Sequence, residues 1–155
     1  MSDVHDRETR SRNMAAIRSS GTRPEMMVRQ GLHRAGYRFR LQDRRLPGRP
    51  DLVLRKYNAV IFVHGCFWHR HACPMFHWPR TRQTFWQDKL TKNAERDQKA
   101  VTRLTEAGWR CAVVWECALK GRNKQAPGQV IETLSDWLTS DLPRLEIQGE
   151  AGAAD

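Results

Sequence analysis

The sequence has no long hydrophobic segment, and no stretch approaches the ~20 consecutive apolar residues that a membrane-spanning helix needs. Its N-terminus also has no apolar stretch of the kind found in secretory signal peptides. These absences predict a cytoplasmic protein that has no membrane partner. In such a reducing compartment, the 4 cysteines are more typical of thiols or metal ligands than of disulfides.

Acidic side chains are scarce in the first two thirds of the chain. Residues 1–100 carry 21 basic and 9 acidic residues, a net charge of +12, whereas residues 101–155 carry 6 and 8. There is no long lysine run, and most of the basic residues are arginines, whose planar guanidinium suits phosphates and guanine edges. The pattern predicts a folded basic face that binds nucleic acid, with a well-solvated surface as the alternative.

The chain of 155 residues has the usual length of one domain. Residues 1–20 are polar and rich in arginine, which predicts a flexible arm that contacts DNA. We place a single domain at residues 21–140 and a loose C-terminal tail at residues 141–155. We expect the protein to be a monomer.

Hydrophobic periodicity predicts an α/β domain with the order helix, three-stranded meander, helix, strand, helix. The first helix is expected from a cap at Thr22 to about Ala35, because Thr22-Arg23-Pro24-Glu25 has the residues of a capping box. Residues 65–80 are expected to form an ordered irregular loop. The other predicted elements are strands at 37–41, 51–54, 59–63 and 109–115, and helices at 81–107 and 130–138.

Cysteine and histidine cluster in one short segment. Cys66, His71 and Cys73 lie within eight residues, and Cys117 directly follows a predicted strand that could return beside them. Thiolates and an imidazole suit tetrahedral zinc, and a site with four protein ligands is structural. The spacing is not a common zinc-finger spacing, so buried thiols with a surface histidine are the alternative. Cys111, within an apolar strand, is predicted to be a core thiol.

A second group of side chains suits the hydrolysis of a phosphate ester. In the predicted hairpin Asp51 faces Phe62–His64, so Asp51 and His64 converge beside the loop that carries His69. A carboxylate at a strand end can hold Mg²⁺, and a neutral histidine can take a proton from the attacking water. Asp97, on the following helix, could orient such a histidine. Each residue also has a structural explanation, as a turn cap, a buried histidine or a solvated acid.

Four segments of the sequence resemble the very short patch repair (Vsr) mismatch endonucleases. They are Pro47-Gly48-Arg49-Pro50-Asp51, Phe62-Val63-His64-Gly65-Cys66-Phe67-Trp68-His69, Lys92-Asn93-Ala94-Glu95-Arg96-Asp97 and Val114-Trp115-Glu116-Cys117-Ala118-Leu119. The resemblance, over roughly residues 3–140, implies a restriction-endonuclease-like core with structural zinc. It also implies a Mg²⁺-dependent nick in double-stranded DNA 5′ of the T in a T:G mismatch, which arises when 5-methylcytosine deaminates. The protein would then be nucleoid-associated and functionally linked to a cytosine-5 DNA methyltransferase and to mismatch-repair proteins.

The resemblance further implies catalytic roles for individual residues. Asp51 would bind Mg²⁺ together with the backbone carbonyl of Val63. His69 would be the general base, oriented by Asp97, with His64 at the scissile phosphate. Glu25 belongs to the family's site, although here it could serve only as a helix cap.

Metal and DNA contacts follow from the same resemblance. Cys66, His71, Cys73 and Cys117 match the family's zinc ligands. Phe67, Trp68 and Trp86 match its aromatic wedge, although these side chains could also be core, where we place the neighbouring Phe85. The positions expected near the mismatched pair are Met14, Ile17, Lys89 and Asn93.

Two other functions stay open at this stage. A zinc-stapled module could bind distorted duplex DNA without cutting it, and a nuclease of the same fold could have another target. Asp51, His64, His69 and Asp97 favour the enzyme, because binding alone needs none of them at a phosphate.

Overall fold

The structure is a computed structural model that describes residues 22–150. Residues 1–21 and 151–155 lie outside it, so the predicted DNA-contacting arm with Met14 and Ile17 is not described. The helices are α1 Arg23–Arg34, α2 Gln83–Glu106, α3 Glu116–Leu119 and α4 Pro127–Leu138, with a 3₁₀ turn at Arg55–Tyr57. The strands are β1 Arg40–Leu41, β2 Leu52–Leu54, β3 Ala59–His64, β4 Arg110–Trp115 and β5 Arg144–Ile147.

The strands form a mixed five-stranded sheet in the order β1-β2-β3-β4-β5. The first three strands pair antiparallel, and β3, β4 and β5 pair parallel, with helices connecting the parallel strands. Leu52 pairs with Ile61, which confirms the predicted hairpin register. The mixed α/β class and the antiparallel meander are therefore as predicted.

Side chains from successive sheet positions pack into two separate cores. Ala59 and Ile61 contribute to the core under α1 and α4, whereas Val60 and Phe62 contribute to the core under α2. Because the central strands are covered on both faces, nearly all of their residues are apolar. The buried Cys111 lies in the second core, as predicted.

The first helix begins where the capping pattern predicts. Thr22 has extended backbone angles, and its hydroxyl accepts the N–H of Glu25 at 3.4 Å. This bond satisfies one of the N–H groups that have no partner within the first turn of a helix. Thr22 thereby fixes the position from which Glu25 projects toward the cleft described below.

Three predictions about local structure were wrong. The first predicted strand shrinks to Arg40–Leu41, and Phe85, expected in the core, is 43% exposed. The expectation of a loose tail fails for residues 144–147, which form β5, with Ile147 buried against the first core. The local sequence gives little indication of this strand, because it is stabilised by pairing with β4, which lies about thirty residues earlier in the chain. None of the helices within residues 22–150 is long and apolar enough to span a membrane.

Candidate active site and metal centre

The sheet topology brings three chain segments to one edge of the sheet. β3 and β4 are parallel with His64 beside Trp115, so the segments that follow both strands leave at the same edge. The start of β2 lies there too, because β2 is antiparallel to β3. At this edge a cleft of about 800 Å³ is lined by parts of α1, the loop before β2, the end of β3 and α2.

A tightly packed loop positions Asp51 at the floor of the cleft. Gly48 has φ +73°, and an added Cβ would lie 2.6 Å from the Cβ of Ala100 on α2, so only glycine allows this approach. The Asp51 carboxylate accepts the Val63 N–H at 2.7 Å. Within a strand the N–H and C=O of one residue point to the same side, so the Val63 carbonyl also lies on the Asp51 side.

Gln42 connects two of the acidic residues that line the cleft, Asp51 and Glu25. Its side-chain amide donates to Asp51 Oδ1 at 2.9 Å and to Glu25 Oε1 at 3.3 Å. Glu25 is 2% exposed and also contacts Arg29, at 3.4 Å, so its backbone belongs to the helix start while its carboxylate lines the cleft. No sequence motif marks Gln42.

The Asp51 carboxyl lies where its ionised form is unfavourable. Burial, and to a smaller degree the nearby Glu25, raise its pKa to about 6, whereas the hydrogen bonds from Val63 and Gln42 oppose the rise. Two acids in one partly buried site make a bound cation favourable. The Asp51 carboxylate with the Val63 carbonyl therefore offers the hard oxygen ligands that Mg²⁺ prefers.

His64, His69 and Asp97 form one cluster beside this acid pair. The two imidazole rings stack at 3.8 Å with an interplanar angle of 6°, and His69 Nδ1 bonds Asp97 Oδ2. Burial holds the pKa of His64 well below its usual value, and His69 lowers it further, so His64 is neutral. Because Asp97 engages Nδ1 of His69, the opposite ring nitrogen is the one that can take a proton from water.

Aromatic and basic side chains line part of the cleft, and Trp86 packs against the two aromatic residues of the lining, Phe67 and Trp68. Phe67, Trp68 and Trp86 contact one another, with ring centroids 5.2 to 5.9 Å apart. Asn93 on α2 donates to the Trp68 carbonyl at 3.1 Å and so ties the loop to the helix. The basic side chains among the lining residues are Arg49, Lys89 and Arg96.

The four predicted metal ligands converge next to the cleft. The ligand atoms of Cys66, His71, Cys73 and Cys117 all lie within 4.8 Å of one another. Burial raises the pKa of both Cys66 and Cys117, so a positive charge between them is needed to keep both as thiolates. Three sulfurs and one imidazole nitrogen at this spacing fit a closed tetrahedral zinc site.

The cleft thus combines carboxylates that could hold a cation, a histidine that could accept a proton and basic side chains, a set that suits hydrolysis of an anionic polymer. The model of the DNA mismatch endonuclease Vsr family matches residues 2–75. The chain is 49% identical over 141 residues to DNA mismatch endonuclease Vsr of Escherichia coli K12, covering 91% of this chain and 90% of that protein. The chain therefore belongs to the Vsr family and is a DNA endonuclease.

Other relatives carry related names. The type II nicking enzyme V.NmeAIP of Neisseria meningitidis serogroup A is 46% identical, over 79% of this chain and 87% of its own. The type II nicking enzyme V.XorIIP of Xanthomonas oryzae is 47% identical, over 77% and 88%.

Proposed function

We propose that this mismatch endonuclease nicks one strand of double-stranded DNA 5′ of the T in a T:G mismatch, and so initiates repair of deaminated 5-methylcytosine. The observation that carries the proposal is the convergence of Asp51, His64, His69 and Asp97 in one cleft beside an aromatic cluster. The names of the relatives, one a mismatch endonuclease and others nicking enzymes, support it. We further propose a restriction-endonuclease-like core and a functional link to a cytosine-5 DNA methyltransferase.

Mg²⁺ is the proposed catalytic cation, held by Asp51 and the Val63 carbonyl. When bound, it would neutralise charge on the phosphate and stabilise the leaving 3′ oxygen. Gln42 holds the Asp51 carboxylate in place, and Glu25 adds negative charge that strengthens cation binding.

In this scheme His69 accepts the proton and His64 contacts the phosphate. His69 takes the proton from the attacking water at the ring nitrogen opposite Asp97, while Asp97 holds the ring orientation through Nδ1. The neutral His64, stacked on His69, donates a hydrogen bond to the scissile phosphate. Arg49 and Arg96 attract the DNA backbone into the cleft.

The aromatic cluster is the proposed mismatch reader. A T:G wobble stacks weakly, so inserting Phe67, Trp68 and Trp86 costs less there than in paired DNA, where unstacking costs roughly a few kcal/mol per step. Lys89 and Asn93 lie on the same wall of the cleft. Met14 and Ile17 are proposed to contact the same base pair from the N-terminal arm.

The deciding experiment is single-turnover nicking of a T:G duplex and its matched counterpart, with and without added Mg²⁺. Strong chelators are avoided, because they would also remove zinc. Asp51→Asn should nearly abolish nicking while retaining T:G binding, since a neutral amide is a poor Mg²⁺ ligand of the same volume. Asp136→Asn, an exposed change on α4 outside the cleft, is the control. Undiminished nicking by Asp51→Asn would place the metal elsewhere.

The alternative is a module that binds distorted duplex DNA without cutting it. It predicts T:G binding with no Mg²⁺-dependent product at any enzyme concentration. A panel of duplexes with other mismatches and flanking bases would identify a different target within the same experiment.

A further inference from the structure

Two residues after β5 contact the cysteine and histidine cluster without being among its four ligands. The side-chain oxygen of Gln148 lies 2.9 Å from His71 Nε2, and the backbone N–H of Gly149 donates to the Cys117 sulfur at 3.2 Å. Both residues fall in the segment that the sequence pattern assigns to a loose tail. The ordered C-terminal segment is therefore part of the surroundings of the metal site.

The Gln148 contact determines which nitrogen of His71 faces the cluster. His71 Nδ1 lies 3.6 Å from the Cys117 sulfur, on the side opposite the nitrogen that meets Gln148. A neutral imidazole has one N–H and one lone pair, so donation from Nε2 to the amide oxygen leaves the Nδ1 lone pair directed at the cluster. Gln148 therefore selects the tautomer that can bind a metal through Nδ1.

The Gly149 contact requires close approach of two backbone segments. A Cβ at position 149 would lie 2.7 Å from the Cys117 carbonyl oxygen and 3.1 Å from that of Asn123. Glycine alone lets the N–H reach the sulfur, and such a bond suits a thiolate ligand. The segment is held on both sides of this contact, because Gln125 donates to the Gln148 carbonyl at 2.8 Å and Glu150 to the Asn123 carbonyl at 2.8 Å.

Trp115 supports the same histidine from its face. The indole stacks on His71 at 4.0 Å with an interplanar angle of 9°, and its N–H donates to Glu146 on β5 at 2.6 Å. The ring of His71 is thus oriented by a stack from β4 and by a hydrogen bond from the segment after β5. The pairing of β4 with β5 brings the segments that carry these two supports beside each other.

We propose that Gln148 and Gly149 are positioning residues of the zinc site, and that zinc binding and the docking of β5 stabilise each other. The inference rests on the proposed zinc occupancy of Cys66, His71, Cys73 and Cys117. Zinc bound to these ligands fixes the two groups on which the segment after β5 docks. Docking in turn holds one imidazole and one sulfur in the geometry that zinc needs.

Zinc release measures this coupling directly. Full-length protein is purified, its zinc is quantified, and the transfer of zinc to a chromophoric chelator is timed. Loss of such a supporting hydrogen bond typically costs 10–100-fold in metal affinity, so Gln148→Ala should lower zinc affinity by about that factor and release zinc faster. Gln148→Glu keeps an acceptor for His71 and should stay near wild type. Gln129→Ala, an exposed glutamine on α4, is the matched control and should not change.

Amide hydrogen exchange provides the second readout. Removal of zinc should raise exchange at residues 144–149 more than in β3, and Gln148→Ala should do the same in zinc-loaded protein. Gly149→Ala is the second variant, expected to release zinc faster because its Cβ displaces the N–H from the sulfur. Gln148 is exposed, so its truncation leaves both cores intact.

The outcomes separate the two proposals. Wild-type protein that contains no zinc would overturn the zinc assignment itself. One zinc per chain in wild type, with release from Gln148→Ala and Gly149→Ala at the wild-type rate, would overturn the positioning role alone.

Discussion

The Asp51 carboxylate lies where its negative charge is unfavourable. Burial raises its pKa to about 6, and Glu25 acts in the same direction, while only two hydrogen bonds oppose them. Either a proton or a divalent cation bound to the carboxylate relieves this cost. The proposed Mg²⁺ therefore competes with a proton for the same oxygens.

This competition predicts a pH dependence that varies with Mg²⁺. At limiting Mg²⁺, single-turnover nicking should fall as the pH drops through about 6, because protonated Asp51 cannot bind the cation. Raising Mg²⁺ should move the midpoint to lower pH. Rates measured from about pH 5 to 8 at two Mg²⁺ concentrations check this. A midpoint independent of Mg²⁺ would assign the loss to a group that binds no metal.

The same pKa shift predicts that Asp51→Asn is more stable than the wild-type protein. The folded-state pKa lies above the unfolded value of 3.8, so ionised Asp51 opposes folding above about pH 6, and the cost disappears below about pH 4. Without Mg²⁺ at about pH 8, Asp51→Asn should raise the free energy of unfolding by about 1–3 kcal/mol. Urea denaturation at both pH values tests this, and Asp136→Asn is the control. A destabilised Asp51→Asn at high pH would contradict it.

The His69–Asp97 pair predicts a graded loss of rate. His69→Ala should slow nicking by ~10²–10⁴-fold, the usual contribution of a general base. Asp97→Asn should slow it less, because it orients the ring and takes no proton. Single-turnover rates at saturating enzyme measure both, with the exposed His33→Ala on α1 as the control. Unimpaired His69→Ala would move the base to another residue, with His64 the nearest candidate.

Among the elements, α2 and the loop after β3 act together at the cleft. Trp86 on α2 contacts Phe67 and Trp68 of the loop, and Asn93 bonds the Trp68 carbonyl. The aromatic rings are half-buried, not part of either core. Phe67 and Trp68 are thus held at the cleft by contacts with each other and with Trp86 on α2.

Loss of the Trp68 ring should reduce discrimination between T:G and matched duplexes more than it reduces the affinity for DNA in general. Trp68→Ala should bind T:G and matched duplexes more equally, while nonspecific, salt-sensitive binding stays near wild type. Equilibrium binding to both duplexes at two salt concentrations gives the ratio. Trp78→Ala, which removes an exposed indole of the same loop outside the cleft, is the control. An unfolded Trp68→Ala would mean that the ring stabilises the fold instead.

For the whole molecule, the parallel pair β3 and β4 brings the acid cleft and the metal centre to one edge of the sheet. Trp115 at the end of β4 stacks on His71 and packs edge-on to His64 at 5.4 Å. The proposed zinc site therefore supports the end of β3 and the loop after it, which carry the two proposed catalytic histidines. Loss of the zinc should therefore lower the stability of the whole domain.

The zinc proposal predicts one tightly bound ion per chain. Cys73→Ser should lower both the zinc content and the melting temperature, because binding a structural zinc contributes folding free energy. Elemental analysis and thermal unfolding measure the two effects. Cys111→Ser separates the loss of zinc from the loss of stability. This core thiol lies outside the cluster, so its replacement should lower stability while the zinc content is kept. Soluble, active wild-type protein without zinc would contradict the prediction.

Local sequence determined much of this protein. The capping pattern at Thr22, the apolar runs around the turn at Arg55–Tyr57 and the helical period of α2 are short-range signals, and the elements form where they predict. Hairpin register also follows from a short turn, so the sequence alone is enough to place Asp51 opposite the segment Phe62–His64. The clustering of Cys66, His71 and Cys73 likewise follows from their spacing.

Tertiary structure alone decided the remaining features. β5 has little local signal, since its pairing with β4 joins segments about thirty residues apart and its stability comes from that partner. Gln42 and Gln148 lie in no motif, and their roles arise from what folding places opposite them: Asp51 in one case, His71 in the other. The exposure of Phe85 and the pKa of Asp51 depend on the neighbours that each side chain meets in the folded domain. Long-range packing determines burial and electrostatics, and a linear pattern carries no information about which distant surface will be the neighbour.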